Sequence, residues 1–182
     1  MRRVPRIALT AAVLAGAGFA FLLWRGPEPG GIDDVYTAMF GPADLGPVTF
    51  ESLARRDSPN DALACPEDVC AAEPDFVTPI YEVPGARLRE IVAEIAAAEP
   101  GTERVYAGLR EETDRFLVRS PTMRYPDTVS ARIYGAGPGR SRLALYSRSQ
   151  IGYSDMGANR ARLERWLEAI SARVAAEAGV AS

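Results

Sequence analysis

Residues 142–174 read RLALYSRSQIGYSDMGANRARLERWLEAISARV, and this stretch decides the fold because it holds a strand, a turn and a long helix in succession. Arg142–Ser149 alternates small or apolar with polar side chains, which is typical of a strand with one buried face. Gly152 permits the change of direction into the helix, whose N-cap is expected at Ser154 or Asp155. We therefore expect a closing helix that packs on a sheet through one apolar stripe. The stripe consists of Met156, Leu163, Trp166, Leu167, Ile170 and Val174.

Two polar residues interrupt this stripe. At 100° per residue Asn159 lies on the inward face between Trp166 and Ile170, and Arg160 lies at its border. A buried amide needs hydrogen-bond partners, so we expect a network that ties both residues to the preceding loop. A ligand-facing cluster is the alternative, because arginines beside a helix N-terminus suit a carboxylate or a phosphate. The residues of that predicted anion site are Arg148, Ser154, Asp155, Asn159, Arg160 and Asp127.

The preceding segments predict the rest of a sheet. Ala86–Glu99 carries apolar residues at helical spacing before Pro100-Gly101, and Val77–Val83 is rich in β-forming residues but contains Pro79, which favours an edge strand. The expected fold class is α+β: an N-terminal transmembrane helix, then a mainly antiparallel sheet of about five strands with two amphipathic helices packed on it. The other predicted strands are Glu103–Arg110, Arg115–Pro121, Thr128–Tyr134 and Arg142–Ser149.

The N-terminus predicts a membrane anchor. Residues 7–24, IALTAAVLAGAGFAFLLW, are uncharged, and as a helix they would be about 27 Å long, close to the thickness of a bilayer's hydrocarbon core. Arg2, Arg3 and Arg6 precede this run, so the positive-inside tendency places the N-terminus in the cytoplasm. We expect a bacterial protein of the inner (cytoplasmic) membrane that crosses it once, with its C-terminal domain in the periplasm.

Two further features of the anchor leave alternatives open. Residues 15–17, Ala-Gly-Ala, resemble a signal-peptide cleavage site, but the seven residues that follow continue the apolar run, which favours an uncleaved anchor. Ala12, Gly16 and Ala20 recur every four residues, a spacing that allows two membrane helices to approach closely. A homodimer formed through the anchor is therefore one of the partner hypotheses.

The segment after the anchor is acidic and rich in turns. Residues 28–75 hold eleven acidic residues against Arg55 and Arg56, whereas residues 140–165 hold six arginines against two acidic residues. We expect these two regions to complement each other within one fold rather than to bind charged partners. The proline and glycine content of residues 26–31 predicts a linker.

Cys65 and Cys70 enclose four residues, and thiols this close pair readily in an oxidising compartment. We expect a short-loop disulfide. A redox couple or half of a metal site is the alternative, but the spacing is not C-x-x-C and the chain has no His or further Cys to complete a zinc shell. We therefore expect no metal.

The composition excludes much catalytic chemistry. All 21 basic residues are arginines, against 24 acidic residues, and the chain has neither Lys nor His. This excludes an imidazole-based triad, a Schiff base and a P-loop lysine. A hydrolase would have to use Asp127 or Asp155 as its acid or base, so we lean against an enzyme. Beyond the anchor, 18 arginines face the 24 acidic residues, which disfavours binding to nucleic acid.

Residues 146–162 read YSRSQIGYSDMGANRAR, and this segment resembles the signature of the family catalogued as domain of unknown function 1499, whose members end with S-R-S-x-x-G-x-S-D-x-G-x-N-R-x-R. Ser58-Pro59-Asn60 and Tyr125-Pro126-Asp127 match two earlier features of the family, a proline-asparagine pair and an F-P-D-like step between strands. The resemblance covers about Arg55–Val174 and implies the family's fold and membrane association, but no activity. The chain departs from the family at Thr128, where members often carry a second acidic residue, and in its C-x4-C element, which is typical of one branch.

These observations predict three parts: residues 1–25 as cytoplasmic tip and transmembrane anchor, residues 26–54 as linker and acidic loop-rich approach, and residues 55–178 as one globular domain. The expected function is that of a non-catalytic interaction or scaffold domain facing the envelope. A binding module for an anionic small molecule or lipid headgroup is the alternative, and a hydrolase is the third hypothesis. The expected partners are the membrane, through residues 7–24, and an envelope protein or an anionic ligand; we expect no cofactor.

Overall fold

The computed structural model describes residues 6–108 and 112–180, which contain four helices and six strands. The elements are α1 (Arg6–Arg25), α2 (Ile32–Phe40), β1 (Asp61–Cys65), β2 (Phe76–Val77), α3 (Gly85–Ala98), β3 (Thr102–Gly108), β4 (Thr113–Arg119), β5 (Pro126–Gly135), β6 (Ser141–Ser149) and α4 (Ala158–Val180).

The strands form one mixed sheet of six strands in the order β2-β1-β6-β5-β4-β3. β1 pairs with β2 in parallel, while β6, β5, β4 and β3 follow in antiparallel pairs. This corrects the expectation of a mainly antiparallel sheet of about five strands. The difference arises at one edge of the sheet. β1 lies in a segment where the sequence predicts only turns and loops. Of the predicted edge strand Val77–Val83, the structure contains only Val77, at the end of β2, and an isolated bridge between Tyr81 and Ser141. Pro79 lies between these pieces and cannot donate to a ladder.

The other predicted elements are found, with their described ends within two residues of the expected positions. Positions 109 and 110 of the strand predicted at Glu103–Arg110 lie outside the described residues, as do Arg2 and Arg3 of the N-terminal tip. Apolar periodicity located these elements well because each has one face on the core and the other towards solvent or a second layer.

Helices α3 and α4 cover one face of the sheet. Trp166 of α4 packs edge-on against Phe116 of β4, with 5.8 Å between the ring centroids. The predicted stripe of α4 is buried at Leu163, Trp166, Ile170 and Val174. Met156 is a correction: it precedes α4, has a φ of 54° and is 98% exposed.

An ion-pair cluster joins α3 to this face. Asp114 of β4 is buried and accepts hydrogen bonds from Arg89 of α3, at 2.8 Å, and from Arg104 of β3. Burial alone would raise the pKa of Asp114, but the two arginines outweigh burial and hold this pKa below its usual value.

The second face of the sheet is covered by the acidic segment that precedes and follows β1. Phe50 is fully buried there in a short 3-10 turn, against Leu63, Cys65, Ala144 and Tyr146. Acidic side chains of this segment pair mostly with arginines between positions 115 and 132, whereas, in the described part of the chain, the expected region 140–165 contributes only Arg142 and Arg160, which pair with Asp68 and Asp75. In the first group, Asp33 pairs with Arg119 and Arg124, Asp44 with Arg115, and Glu51 with Arg132. Cys65 and Cys70 lie at disulfide-bonding distance, with 1.95 Å between their sulfur atoms.

Helix α1 extends from the rest of the chain. Its segment Ala8–Arg25 is apolar and long enough for a membrane span or a signal sequence, and none of it is buried by the protein. Residues 26–31 form a folded turn: the Asp33 amide donates to the carbonyl oxygen of Gly26, and the Gly31 amide donates to that of Glu28. The start of α2 is thereby held against the end of α1.

Candidate functional site

Three separate stretches of the chain meet at one end of the sheet. β5 begins and β6 ends there, with Asp127 opposite Ser149, and β1 begins beside them, with Asp61 opposite Arg148. Because neighbouring antiparallel strands alternate in direction, the segments around Asn60, Asp127 and Ser149 lie at the same end of the sheet. The N-terminal end of α4 covers that end of the sheet and supplies the remaining polar side chains.

Asn159 is at the centre of this cluster, and its side chain is fully buried. Its Oδ1 accepts hydrogen bonds from the Ser147 hydroxyl and from Nη1 of Arg162. Its Nδ2 donates to Ser149 Oγ at 2.8 Å and to the carbonyl oxygen of Asn60 at 3.1 Å. The amide on the inward face of the helix therefore has the partners that its burial requires.

Arg162 lies one helical turn from Asn159, and its side chain is 6% exposed. Its Nη2 donates to Asp127 Oδ2 at 2.8 Å, Nη1 donates to Ser147 Oγ at 2.9 Å, and Nε donates to Glu99 Oε1 at 3.3 Å. Glu99 also accepts a hydrogen bond from the indole N–H of Trp166. One guanidinium thus links α3, β5, β6 and α4, with a carboxylate on each side to balance its buried charge.

Asp155 holds the start of α4. One carboxylate oxygen accepts a hydrogen bond from the backbone N–H of Asn159 at 2.8 Å, and the other accepts one from the backbone N–H of Gly157 at 3.0 Å. The Ser154 hydroxyl accepts from the Met156 amide at 3.2 Å. Of the two expected N-caps, Asp155 is the one that satisfies a first-turn amide of the helix.

Arg148 and Arg160 lie apart from this cluster. Arg148 is on the opposite face of the sheet, where Nη2 donates to the carbonyl oxygens of Leu45 and Gly46 at 3.0 and 2.8 Å, and burial lowers its pKa. Arg160 points outward, pairs with Asp75 at 2.9 Å and stacks over the ring of Phe76. The structure therefore brings together Asp127, Asp155 and Asn159 of the predicted site, and places the two arginines elsewhere.

An open groove of about 570 Å³ runs beside the cluster, between the end of α3 and the start of α4. Its wall is mostly apolar, with Trp166 and Val118 at its base and small side chains of α4, such as Ala158 and Ala161, along one side. Asp127, Arg162, Glu99 and Arg165 contribute the polar part. This surface can receive an apolar segment with one or two polar groups.

Sequence reasoning missed two members of the cluster, Arg162 and Glu99. The position of Arg162 was available from the helical period, because it lies three residues after Asn159 and four before Trp166, on the same inward face. Glu99 ends the predicted helix Ala86–Glu99, and nothing in the sequence indicates its partners. Within the described residues no group of three or more acidic or cysteine side chains is arranged to hold a metal ion.

The chemistry of the cluster is that of a satisfied hydrogen-bond network. The carboxylates of Asp127 and Asp155 are engaged by the guanidinium of Arg162 and by the amides at the start of α4. A carboxylate held in this way is a weak candidate for proton transfer, because its hydrogen-bond partners are groups of the fold rather than a substrate. The arrangement fits positioning of the helix and the loops better than catalysis.

A comparison of the chain with curated proteins gives no match. The model of the family described as "Protein of unknown function (DUF1499)" matches residues 50–170. The matched region begins at Phe50, which is buried on the second face of the sheet, and ends in α4, so it includes every residue of the network described above. The resemblance carried by residues 58–60, 125–127 and 146–162 is thereby confirmed, and the chain belongs to the DUF1499 family of proteins of unknown function.

Proposed function

We propose that this protein is a single-pass membrane protein whose globular domain is a non-catalytic interaction domain. One observation carries the proposal: Asp127, Asp155 and Asn159, which the alternative interpretation of the sequence placed in an anion site, are engaged in hydrogen bonds inside the fold, while an open, mostly apolar groove lies beside them. Catalytic sites leave reactive groups accessible to a substrate. Here the accessible feature is a binding surface.

The groove fits a short apolar segment of an envelope protein. Ala158, Ala161 and Ala169 leave room along α4, and the small exposed edge of Trp166, whose ring is otherwise buried in the core, lines the floor. Arg165 and Glu99 at the edge supply polar groups that could orient the segment. The network behind the groove holds α4 on the sheet, so the surface is formed before the partner arrives.

The same proposal includes the location of the domain. α1 anchors the chain in the cytoplasmic membrane with the N-terminus inside, and the domain lies in the periplasm. The apolar helix supports the anchor, and the cysteine pair at disulfide-bonding distance supports an oxidising compartment. Alkaline carbonate extraction of cell membranes tests the anchor, and intact-mass measurement of the extracted chain tests whether residues 1–17 have been removed.

Site-specific photocrosslinking in native membranes tests the groove. Ala97 and Ala98 are adjacent exposed residues of α3, and Ala98 alone of the two lines the groove. A photoreactive residue at position 98 is expected to give a discrete crosslinked species that is absent, or much weaker, at position 97. Adding Ala161→Arg, which places a long charged side chain in the groove, should abolish that species. Equal crosslinking from the two positions would reject the groove as the interaction surface.

A second candidate, binding of a carboxylate or phosphate ligand, is favoured by Arg165. Its guanidinium lines the groove, is 60% exposed and lies 3.5 Å from its acidic neighbour Glu99. A cation held this loosely is free to take an anionic ligand. Titration calorimetry of the full chain with inorganic phosphate, repeated with Arg165→Ala, tests this candidate: heat that disappears with the substitution supports it, and no heat with the native chain rejects phosphate binding.

A further inference from the structure

We propose that the end of the globular domain nearest α1 rests in the interfacial layer of the bilayer that holds α1, with Tyr153 and Met156 inserted between lipid headgroups. This inference depends on the membrane anchor of the proposed function, and it adds an interaction surface on the domain itself. Its partner is the boundary between the headgroups and hydrocarbon of that membrane.

The first step is that no free stalk separates α1 from the domain. Gly26 is buried, and a Cβ atom at that position would lie 3.2 Å from Nε of Arg124, in the turn between β4 and β5. Asp33 at the start of α2 pairs with Arg124 at 2.8 Å and with Arg119 at 2.6 Å. The turn between β4 and β5 is therefore fixed against the end of α1.

The second step is a distance. Gly26 follows Trp24, the last residue of the apolar run, by two positions, which is about 3 Å along a helix axis. The interfacial layer on each side of the hydrocarbon core is about 5–7 Å thick. With α1 across the bilayer, the turn in contact with Gly26 lies at the depth of the headgroups.

The third step extends this end of the domain to the loop before α4. The Tyr36 hydroxyl of α2 donates to the carbonyl oxygen of Met123 at 2.8 Å, which holds α2 on the same turn. Past the end of α2, the carbonyl oxygens of Gly41 and Pro42 accept from the Gln150 side chain at 2.9 and 2.6 Å. The loop 150–157 therefore lies at the same end of the sheet as the exit of α1.

The exposed apolar side chains are concentrated at this end. Of the eight large apolar side chains that are exposed in the described chain beyond α1, five lie on α2, the turn between β4 and β5, or the loop 150–157. Met156 is 98% exposed and Tyr153 is 76% exposed, so neither contributes to the fold. Tyrosine is favoured at membrane interfaces because its ring is apolar and its hydroxyl remains in water. These five residues are Met39, Phe40, Tyr125, Tyr153 and Met156.

The contact does not depend on lipid charge. The arginines nearest the exit of α1 are all paired with carboxylates, Arg25 with Glu28, Arg124 with Asp33, and Arg119 with Asp33 and Glu103, so they offer little free positive charge to anionic headgroups. Insertion of apolar side chains is then the source of the attraction. Vesicles of phosphatidylcholine alone and vesicles with added phosphatidylglycerol should therefore give the same result.

Depth-dependent quenching in proteoliposomes tests the proposal on the full chain. An environment-sensitive fluorophore is attached at Tyr153→Cys or Met156→Cys without reductant, and lipids with a spin label near the headgroup serve as quencher. Trp24→Cys is the positive reference at the end of the apolar run. Ile80→Cys is the matched negative reference, because Ile80 is an exposed apolar residue next to the bridge between Tyr81 and Ser141, at the far end of the sheet.

The quenched fraction at positions 153 and 156 is expected to approach that at position 24, with a blue shift of emission that position 80 lacks. Quenching at positions 153 and 156 equal to that at position 80, with position 24 quenched, overturns the proposal while the anchor stands. Loss of quenching at position 24 itself means that α1 is not in the bilayer, which rejects the proposed anchor and this surface with it. Quenching that requires phosphatidylglycerol overturns insertion as the source of the contact.

Discussion

Replacing Asn159 by alanine should cost about 3 kcal/mol of the free energy of unfolding. The Asn159 side chain is fully buried, and its Oδ1 is an acceptor for both Ser147 and Arg162. Removing it leaves a buried hydroxyl and a buried guanidinium N–H each short of one acceptor, at about 1–3 kcal/mol per group. Arg162 keeps its hydrogen bond to Asp127, so we expect a loss in the lower half of the range obtained by adding the costs of the two groups.

Urea unfolding of the full chain in detergent micelles measures this cost through the fluorescence of Trp166, which lies in the core. A Trp24→Phe background removes the second tryptophan, and the slope with urea should stay constant while the midpoint falls. Arg160→Ala is the matched control on the next residue. It removes one exposed pair with Asp75 and a stacking contact, worth less than about 1 kcal/mol.

The outcome that refutes this reasoning is an Asn159→Ala midpoint that moves no further than the Arg160→Ala midpoint. Asn159→Asp provides a second comparison, because it keeps Oδ1 but replaces the donor Nδ2 with an oxygen 2.7 Å from the Asp155 carboxylate. Two carboxylates at that separation repel each other. This variant should therefore be at least as unstable as Asn159→Ala at pH 7.

Three further predictions concern other parts of the fold. The pKa of Asp114 is held below its usual value, so its ion pairs stabilise the fold above about pH 4, and that stability is lost as the pH falls further. The difference between the urea midpoints of the wild type and Asp114→Asn should therefore decrease below that pH. A constant difference down to acid unfolding would contradict this. Reduction of the Cys65 and Cys70 pair should cost about 2 kcal/mol, near the low end for disulfides because the loop is short; an unchanged urea midpoint in dithiothreitol would argue against a stabilising disulfide. A Cβ atom at Gly31 would lie 2.3 Å from the Gly26 carbonyl oxygen, so Gly31→Ala should open the turn after α1 and speed protease cleavage there; unaltered cleavage in proteoliposomes would mean that the turn tolerates it.

The sequence predicts α3, α4 and strands β3 to β6 because each has one apolar face, and that face produces a period that can be read directly. β1 does not produce one: four of its five residues, DALAC, are buried, since helix α4 covers one side and the acidic segment covers the other. β5 and β6 are also largely buried on both faces, but they are ten and nine residues long and polar residues recur along them, whereas the five residues of β1 include only one polar residue. α2 was missed for a different reason, because its stability comes from docking on the turn between β4 and β5 through Asp33 and Tyr36.

The sequence predicts part of the candidate site, because the helical period of α4 shows which of its residues face the sheet. The helical period places Asn159 on the inward face, and the structure buries it there. The period also places Arg162 inward, but a buried arginine is unusual unless it is paired, and its partners Asp127 and Glu99 are distant in sequence. Arg148 and Asn159 are close in sequence, but alternation along β6 places Arg148 on the face opposite to Ser147 and Ser149, the residues of that strand that contact Asn159.

The network around Asn159 connects the two surfaces that the proposals use. Arg162 and Asp127 form part of the groove wall, so the position of that wall depends on the guanidinium held by Asn159 and Ser147. On the other side, Asp155 is held by the backbone amides of Gly157 and Asn159, and it lies within the loop that carries Tyr153 and Met156. A chain with no Lys or His relies on one arginine and several amides to position both surfaces. Under conditions where Asn159→Ala remains folded, it should therefore weaken groove crosslinking and loop quenching together, whereas a substitution confined to either surface should affect that surface alone.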